Sequence, residues 1–479
     1  MYDGEGAEEL QGMHTMAEQA LSAAPDAAAE GGIWAGGRRP LTIGLVLTVA
    51  SAAFEALAVA TTMPATTREL GGLALYGWAF SAFMLANLVG ITVAGAASDR
   101  GGPAGPFALG VALFTAGLLG AGFAPAMGVL IGARAVQGLG AGMISSVAYV
   151  AVGRGYPEAA KARMLAVIST AWVVPGLIGP AVAGLISEAV GWRWVFLGLA
   201  PLPVIAAALA LPALRKLAPG RQTDGVGGTQ SADLSKARDA VQLAAGVGLV
   251  MAGLGQTARP LVALGLTAVG AALALPALRR MLPQGTLRAA AGLPAAVAAM
   301  GLLNLSFFGV DVFVPLALTE VRGQSAAAAG LPLTAATMTW TAGSWVLAHI
   351  AQRVSRRAIA LTGLAVVTVG VAGVALTLLP GVPALTGTAA WAVAGLGIGL
   401  AYSTLSLAVL ENAPAGQEGG ASAAMQIASQ LGTALGTGVG GVIVGSGSAN
   451  VSAERIALQC ALMASVATVG ALVAWRIKR

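Results

Sequence analysis

The sequence predicts an all-α integral membrane protein of about fourteen spanning helices, arranged as two six-helix bundles with two extra helices between them. Of its 479 residues, 57% are hydrophobic and only 10% are charged, whereas a soluble domain carries about 25% charged residues. Apolar runs of about 20 residues, the length that crosses a bilayer, recur along the chain. The 68 glycines suit helices that pack closely in lipid through small residues.

The apolar runs form groups of six, two and six. The first group covers 41–63, 75–97, 106–124, 128–152, 164–187 and 194–213. The second covers 240–257 and 260–278, and the third covers 291–318, 328–350, 358–379, 385–410, 419–445 and 456–475. Because the run at 240–257 is short and the turn after it is tight, twelve spans with two re-entrant segments stay open as an alternative.

This grouping predicts five regions. They are an acidic, disordered cytoplasmic tail (1–40), an N-terminal six-helix bundle (41–213), a cytoplasmic linker (214–238), two inserted transmembrane helices (239–280) and a C-terminal six-helix bundle (281–479). The tail contains seven acidic residues and no basic residue before Arg38. A signal peptide has the opposite charge at its start, so we expect none here.

The basic residues predict the orientation in the membrane. If the N-terminus is cytoplasmic, 20 of the 26 lysines and arginines lie in inside segments, five lie outside, and Arg134 lies within a span. Cytoplasmic connections are enriched in basic residues. We therefore expect both termini on the cytoplasmic side of the cell membrane.

Several classes of function are excluded by what the sequence lacks. The net charge of +6 does not indicate nucleic acid as a partner, because the basic residues lie between apolar runs and orient helices. The single cysteine, Cys460, permits no internal disulfide and no cysteine metal site. None of the four lysines follows a glycine, so there is no Gly-Lys phosphate loop. We expect no enzyme activity, metal, cofactor or obligate protein partner.

Three charged residues lie deep in the predicted spans. Of the 20 acidic residues only Glu55 and Asp311 do so, and Arg134 lies near the start of the fourth span, at a depth similar to Glu55. A charge in hydrocarbon is costly and is by default a sign of function. A carboxyl held there can exchange protons and attract a cationic ligand, so these residues are the candidates for proton coupling. The alternative for each acid is a packing role with a buried polar partner.

The two acids also indicate two related halves. Glu55 lies in the first span, within Phe54-Glu55-Ala56-Leu57-Ala58-Val59, and Asp311 lies in the ninth, within Val310-Asp311-Val312-Phe313-Val314-Pro315. Each occurs in the first span of its half and towards the outer end. Internal repeats of this kind are common in transporters.

Polar and aromatic residues inside the spans are candidates to line a substrate cavity between the halves. They are Trp78, Phe83, Asn87, Gln137, Trp172, Asn304, Trp340, Tyr402 and Gln430. Core packing, or a place in the interfacial aromatic belt, is the alternative for each.

Glycine and proline predict close contacts and bending. Gly138 and Gly140 of the fourth span are expected to permit close helix packing. The fifth span contains helix-bending and small residues, namely Pro175, Gly176, Gly179, Pro180 and Gly184. Proline removes a backbone hydrogen bond, so we expect a deformable helix, matched by the glycine-rich thirteenth span. A pair of bending helices suits alternating access.

Several motifs together resemble the major facilitator superfamily, and the six-two-six pattern resembles its fourteen-spanner drug:proton antiporter branch. The loop motif after the second span, with Gly95, Asp99, Arg100 and Gly102, is similar to that of the family, although Pro103 and Ala104 replace its basic residues. Asp99 is still a candidate to cap the N-terminus of a neighbouring helix.

The resemblance extends to three further spans. Arg134, Gln137, Gly138 and Gly140 are similar to the fourth-helix motif, whose arginine is implicated in proton coupling. Gly176 through Gly184 resembles the antiporter motif, with Ala183 in place of a glycine, and Glu55 through Pro64 resembles the acid-to-proline signature, with Glu where Asp is usual.

The resemblance implies a proton-coupled multidrug antiporter that exports small amphipathic or cationic compounds, of the kind that confers antibiotic resistance. Glu55 would alternate between protonated and substrate-facing states, Arg134 would bias its protonation, and the proton gradient would supply the energy. A symporter, a uniporter, or an exporter of an endogenous lipid, peptide or nutrient is the alternative, with Asp311 as the more important acid. A membrane scaffold that does not transport is a further alternative.

Overall fold

A computed structural model describes residues 32–477 apart from 36, 218–228, 257, 352, 415–416 and 447–449. Within these residues the chain forms long helices and no β-strand. Residues 1–31 and 36 of the predicted acidic tail, and the middle of the predicted linker, lie outside the described residues.

Fourteen long helices follow one another along the described chain. The first six are α1 (Arg39–Leu70), α2 (Tyr76–Gly101), α3 (Ala104–Gly122), α4 (Met127–Gly155), α5 (Glu158–Ala189) and α6 (Arg193–Leu214). Two inserted helices follow, α7 (Ser235–Leu254) and α8 (Pro260–Met281). The last six are α9 (Leu293–Val321), α10 (Ala326–Ile350), α11 (Arg356–Thr377), α12 (Leu385–Glu411), α13 (Glu418–Gly445) and α14 (Ala453–Ala474).

The predicted all-α membrane fold of about fourteen helices is confirmed. In the part of the chain that the structure describes, thirteen helices are long and apolar enough to cross a membrane. The remaining one, α10, is 25 residues long and contains four threonines. The inserted helices α7 and α8 are continuous over 20 and 22 residues, which is enough for each to span a bilayer.

Prolines interrupt α5 and α9 at the position that their missing N–H predicts. A helical N–H bonds to the carbonyl four residues earlier, and proline has none. In α5 the helix breaks at Ala171, four residues before Pro175. In α9 the first segment ends at Asp311, four residues before Pro315, and a π-helical segment follows over Ala317–Val321.

The two six-helix groups pack in the same way. In the first half α1 contacts α5 and α6, and α4 contacts α2 and α3. In the second half the corresponding helices make the same pairs: α9 contacts α13 and α14, and α12 contacts α10 and α11. The halves meet along two seams, α2 with α13 and α5 with α10.

The inserted helices lie against one of these seams. Helix α7 packs on α8 and contacts both α2 and α13. Its buried residues Leu243, Val247 and Met251 form one cluster with Leu88 of α2 and Leu431 of α13. The pair therefore touches both halves at the α2–α13 seam.

The bundle has two ends, which we name by the chain. The terminal end is where α1 begins at Arg39 and α14 ends at Ala474, and the far end is where α1 ends and α2 begins. The basic residues predict that the terminal end faces the cytoplasm. This orientation stays a prediction.

Candidate functional site

A buried ion pair joins α1 to α4. Nη1 of Arg134 contacts Oε1 of Glu55, and the two side chains are only 2% and 1% exposed. Nε of Arg134 donates to the carbonyl of Ala79 at 3.1 Å, and the guanidinium lies 4.3 Å from the centre of the Phe83 ring. Arg134 is thus held by a carboxylate, a backbone oxygen and an aromatic face, all within the first half.

Gln137 completes this cluster from one turn further along α4. Its Oε1 accepts from Nη1 of Arg134 at 2.7 Å. Among the described atoms, Nε2 of Gln137 and Oε2 of Glu55 have no hydrogen-bond partner, and they are a donor and an acceptor on neighbouring side chains. Removing one partner of a buried ion pair costs about 3–5 kcal/mol, so the charges of Glu55 and Arg134 depend on each other.

The second half contains a corresponding arrangement around Asp311. Nε1 of Trp391, on α12, donates to Oδ1 of Asp311 at 2.8 Å, and the indole stacks on Phe307 with ring centres 4.7 Å apart. Asp311 is 9% exposed and Trp391 is fully buried. In each half, an acid on the first helix thus accepts from a residue near the start of the fourth helix.

Sequence reasoning missed Trp391 and Phe307. A tryptophan in an apolar span is typical of core packing or of the interfacial belt. The residue type alone therefore did not mark Trp391 as functional. The correspondence between the halves could have identified Trp391, because it lies on α12 in about the place that Arg134 occupies on α4.

An aromatic group lies beside this second acid. Trp340 of α10 contacts Phe307, Phe308 and Tyr402, with ring centres 5.9, 6.3 and 5.7 Å apart. Phe308, Trp340 and Tyr402 are each partly exposed, while Phe307 is buried. We call these four residues the aromatic wall.

Polar contacts join the halves along the α2–α13 seam. Nε2 of Gln430 donates to Oδ1 of Asn87 at 3.0 Å, and the hydroxyls of Ser81 and Thr437 lie 2.8 Å apart. Within the second half, Asn304, one turn before Phe308 on α9, donates to Ser429, which is next to Gln430 on α13, at 3.3 Å. Three predicted cavity residues, Asn87, Asn304 and Gln430, therefore lie at or beside the meeting of the two halves.

Other predicted cavity residues lie elsewhere. Trp78 faces the inserted pair, with its ring 3.9 Å from the position that a Cβ on Gly248 of α7 would occupy. Trp172 lies at the break in α5 and is 48% exposed. Phe83 and Gln137 belong to the Arg134 cluster. The structure thus divides the nine residues among the seam, the aromatic wall, the ion-pair cluster and two separate positions.

The loop motif after α2 makes a contact that the sequence did not predict. Nη2 of Arg154, near the end of α4, lies 2.5 Å from Oδ1 of Asp99, and Nη1 donates to the carbonyl of Ser98 at 3.0 Å. The next helix, α3, has no side-chain cap at its N-terminus. The carboxylate of Asp99 thus contacts Arg154 and does not cap α3, and a role for Asp99 at another helix N-terminus stays a prediction. Gly102 has φ +82°, a left-handed conformation that favours glycine.

The glycines of α4 lie where backbones approach closely. A Cβ on Gly138 would meet the carbonyl oxygen of Phe83, and one on Gly140 would meet the backbone of Phe114. Gly142 faces the carbonyl of Asn87 in the same way. These positions bring α4 into backbone contact with α2 and α3.

The α5–α10 seam is built from the predicted glycines and prolines of α5. A Cβ on Gly184 would lie 2.7 Å from the backbone nitrogen of Ala327. A Cβ on Gly330 would lie 3.1 Å from the carbonyl oxygen of Pro180. Gly176 faces Thr337 across the same seam, whereas Gly179 faces Phe54 of α1.

Ionic and capping contacts hold the halves together at the far end. Nε of Arg68, at the end of α1, lies 2.5 Å from Oε1 of Glu320. Oε1 of Glu188, at the end of α5, accepts from the backbone N–H of Ala327 at 2.9 Å. Both contacts cross from the first half to the second, so the far end is closed.

Known proteins resemble this chain in sequence. Residues 43–437 match the Major Facilitator Superfamily. A probable multidrug-efflux transporter of Mycobacterium tuberculosis is 29% identical over 380 residues, which are 76% of this chain and 78% of the relative. The multidrug transporter MdtP of Bacillus subtilis is 29% identical over 188 residues, 39% of this chain and 34% of the relative. An uncharacterized MFS-type transporter of M. tuberculosis is 36% identical over 146 residues, but the match spans only 25% of that protein.

Solved structures share the fold. A POT family transporter in complex with 5-aminolevulinic acid has a TM-score of 0.68 at 14% identity, over 93% of this chain and 96% of the other. A D-xylose-proton symporter has a TM-score of 0.62 at 14% identity, over 91% and 95%. With the family match over most of the chain, the two packed six-helix halves show that this chain belongs to the Major Facilitator Superfamily and is a multi-pass membrane transporter.

Proposed function

We propose that this transporter is a proton-coupled antiporter that exports small amphipathic or cationic compounds across the cell membrane. The observation that carries the proposal is the presence of one buried acid in each half, Glu55 with Arg134 and Asp311 with Trp391. A proton bound at such an acid changes the charge inside the bundle. That change can favour one arrangement of the halves over the other.

The position of the candidate cargo surface supports this function. The aromatic wall and Asn304 follow one face of the second half near Asp311, since residues 304, 308 and 311 recur at helical spacing on α9. An apolar surface with a few polar groups suits amphipathic molecules. Binding of cargo at this surface and binding of a proton at the nearby acid would each shift the equilibrium between the two arrangements of the halves. The two binding events would therefore oppose each other.

Alternating access requires that one end opens as the other closes. The far end is closed by the Arg68–Glu320 and Glu188–Ala327 contacts. In the proposed cycle these contacts break, the halves rock about the central residues, and cargo leaves at the far end. The proton gradient supplies the energy without a cofactor. The names of the M. tuberculosis and B. subtilis relatives, which refer to multidrug transport, agree with export.

The test is transport by purified protein in phospholipid vesicles. The vesicles are loaded with ethidium, a planar organic cation, and the membrane potential is clamped while a proton gradient is imposed. Antiport predicts that protons moving in drive ethidium out, and that reversing the gradient reverses the dye. Glu158→Gln is the control, because Glu158 is 89% exposed and should leave this flux unchanged.

Each other outcome has a definite meaning. Dye moving in the same direction as the protons would indicate a symporter, and flux independent of the gradient would indicate a uniporter. Absence of dye movement in the wild-type vesicles would contradict export of cationic compounds. Any of these results overturns the proposal.

A further inference from the structure

We propose that Asp311, positioned by Trp391, is the carboxyl that exchanges the proton, while Glu55 and Arg134 form an ion pair that stays charged throughout the cycle. The inference rests on the proposed proton coupling and assigns different roles to the two buried acids. The sequence motifs alone favour Glu55 as the acid that exchanges the proton. The contacts of the two acids favour Asp311.

The hydrogen-bond donors of the two acids differ in charge. Glu55 accepts from the guanidinium of Arg134, which is always protonated in proteins. A proton bound to Glu55 would leave Arg134, only 2% exposed, as a buried cation without a counterion. Proton uptake at Glu55 is therefore opposed by its own partner.

Asp311 has a neutral donor. The indole N–H of Trp391 can donate to a carboxylate and, more weakly, to the carbonyl oxygen of a carboxylic acid. Asp311 can thus gain or lose a proton while Oδ1 keeps its hydrogen bond and no other charge is left unpaired. Asp311 is also less completely buried than Glu55, at 9% against 1% exposed.

The exchange step is a simple proton transfer. A proton from water on one side of the membrane forms an O–H bond at Oδ2 of Asp311. After the halves change arrangement, that bond breaks, the proton passes to water on the other side, and the carboxylate is restored. No electron transfer or further reactant is needed.

The groups around Asp311 do not provide it with a counterion. Tyr76 of α2 is a titratable neighbour, and its hydroxyl donates to the carbonyl of Val312 at 2.7 Å. Glu320 of α9 is paired with Arg68 of α1. From α14 comes the neutral Gln459, which donates to the carbonyl of Gly309 at 2.9 Å. Within the described residues no cation forms an ion pair with Asp311.

Trp391 also connects the acid to the aromatic wall. Its indole stacks on Phe307, and Phe307 packs edge-on against Trp340. If bound cargo moves Trp340, the stacked rings of Phe307 and Trp391 shift. The indole N–H that donates to Asp311 then moves with them. Trp391 is therefore a positioning residue, through which cargo binding and proton binding influence each other.

Infrared difference spectroscopy tests the assignment without any cargo. Purified protein in lipid is titrated between about pH 6 and pH 9, where exposed carboxyls are almost fully ionised. The wild type should lose a carboxylic acid C=O band as the pH rises. The band should be absent in Asp311→Asn and still present in Glu55→Gln/Arg134→Gln. If Asp311→Asn cannot be purified, Asp311→Glu should retain the band with a changed frequency and midpoint.

Trp391→Phe separates positioning from packing, because phenylalanine keeps a ring for stacking but has no N–H. Loss of the donor makes the carboxylate less stable, so the midpoint should rise by about one pH unit, a tenfold increase in proton affinity. Trp345→Phe is the matched control, since Trp345 is 71% exposed, and its midpoint should not move.

The result that would overturn the proposal is a titrating band that survives Asp311→Asn and disappears in Glu55→Gln/Arg134→Gln. A wild-type protein without a titrating buried carboxyl would overturn it as well, as would an unchanged midpoint in Trp391→Phe. These spectra do not depend on transport. Failure of the vesicle experiment would therefore refute the proposed antiport separately.

Discussion

Within the described part of the chain, Arg134 makes its polar contacts inside one half of the molecule. Its side chain reaches Glu55, Gln137 and the carbonyl of Ala79. A guanidinium offers five donors in a fixed geometry, which suits it to join three helices at one point. The pair therefore fixes α1, α2 and α4 relative to one another, whatever the second half does.

This mutual dependence predicts an unequal response to single and double substitutions. Glu55→Gln should lower the free energy of unfolding by about 3–5 kcal/mol, because Arg134 is left as a buried charge without a partner. Glu55→Gln/Arg134→Gln removes both charges and should cost less than the single change. Chemical unfolding of the purified protein in detergent measures both values, with Glu158→Gln as an exposed control expected within about 0.5 kcal/mol of the wild type. Equal losses in the single and double variants would contradict the ion pair.

Helix α4 contains glycines in two different environments. Gly138 leaves no room for a side chain, because a Cβ there would meet the carbonyl of Phe83 on α2. Gly132, six residues earlier on the same helix, has nothing within 4 Å of its Cβ position. The difference identifies which glycines of α4 are required for packing.

Alanine adds a methyl group, and it should therefore change the stability of the protein in opposite directions at the two positions. Gly138→Ala should destabilise the protein by about 1–3 kcal/mol, because α2 and α4 must move apart. Gly132→Ala should be neutral or stabilise by up to about 1 kcal/mol, because alanine is the better helix former. Thermal unfolding of both purified proteins is the measurement. A similar loss in the two variants would show that space along α4 does not decide the outcome.

The order and approximate bounds of the helices could be predicted from the sequence because each apolar run has to span the same thickness of hydrocarbon. The run at 128–152 became α4 over Met127–Gly155, and the run at 291–318 extended to Val321. Glu55 and Arg134 could be identified for the same reason, since a charge in lipid stands out.

The neighbours of a helix face could not be predicted in this way. Trp78 and Asn87 lie on the same helix, yet Trp78 faces α7 while Asn87 bonds to Gln430 of α13. In a spanning helix, the faces towards lipid and the faces towards other helices are both largely apolar. Hydrophobic periodicity therefore does not indicate which helix covers a given face. Trp391 was missed for a related reason, because its role depends on the acid that its N–H reaches.

For the molecule as a whole, the two seams between the halves differ. The α2–α13 seam is covered by α7, with Met251 seated against Gly438. The α5–α10 seam brings Gly184 and Pro180 against Ala327 and Gly330. When the halves rock, the far-end contacts have to separate while α7 stays in contact with α2, with α13 or with both.

A disulfide across the α2–α13 seam should therefore stop transport. The hydroxyls of Ser81 and Thr437 are 2.8 Å apart and belong to different halves, so Ser81→Cys/Thr437→Cys places two thiols within reach of a bond. Oxidation should lock the far end closed and abolish dye flux in vesicles, and a reducing agent should restore it. The control is Ser344→Cys/Ser403→Cys, whose hydroxyls are 3.2 Å apart within the second half. This pair should crosslink and still transport, because it does not join elements that move apart. Undiminished flux through fully oxidised Ser81→Cys/Thr437→Cys protein would show that the α2–α13 seam does not open during the cycle.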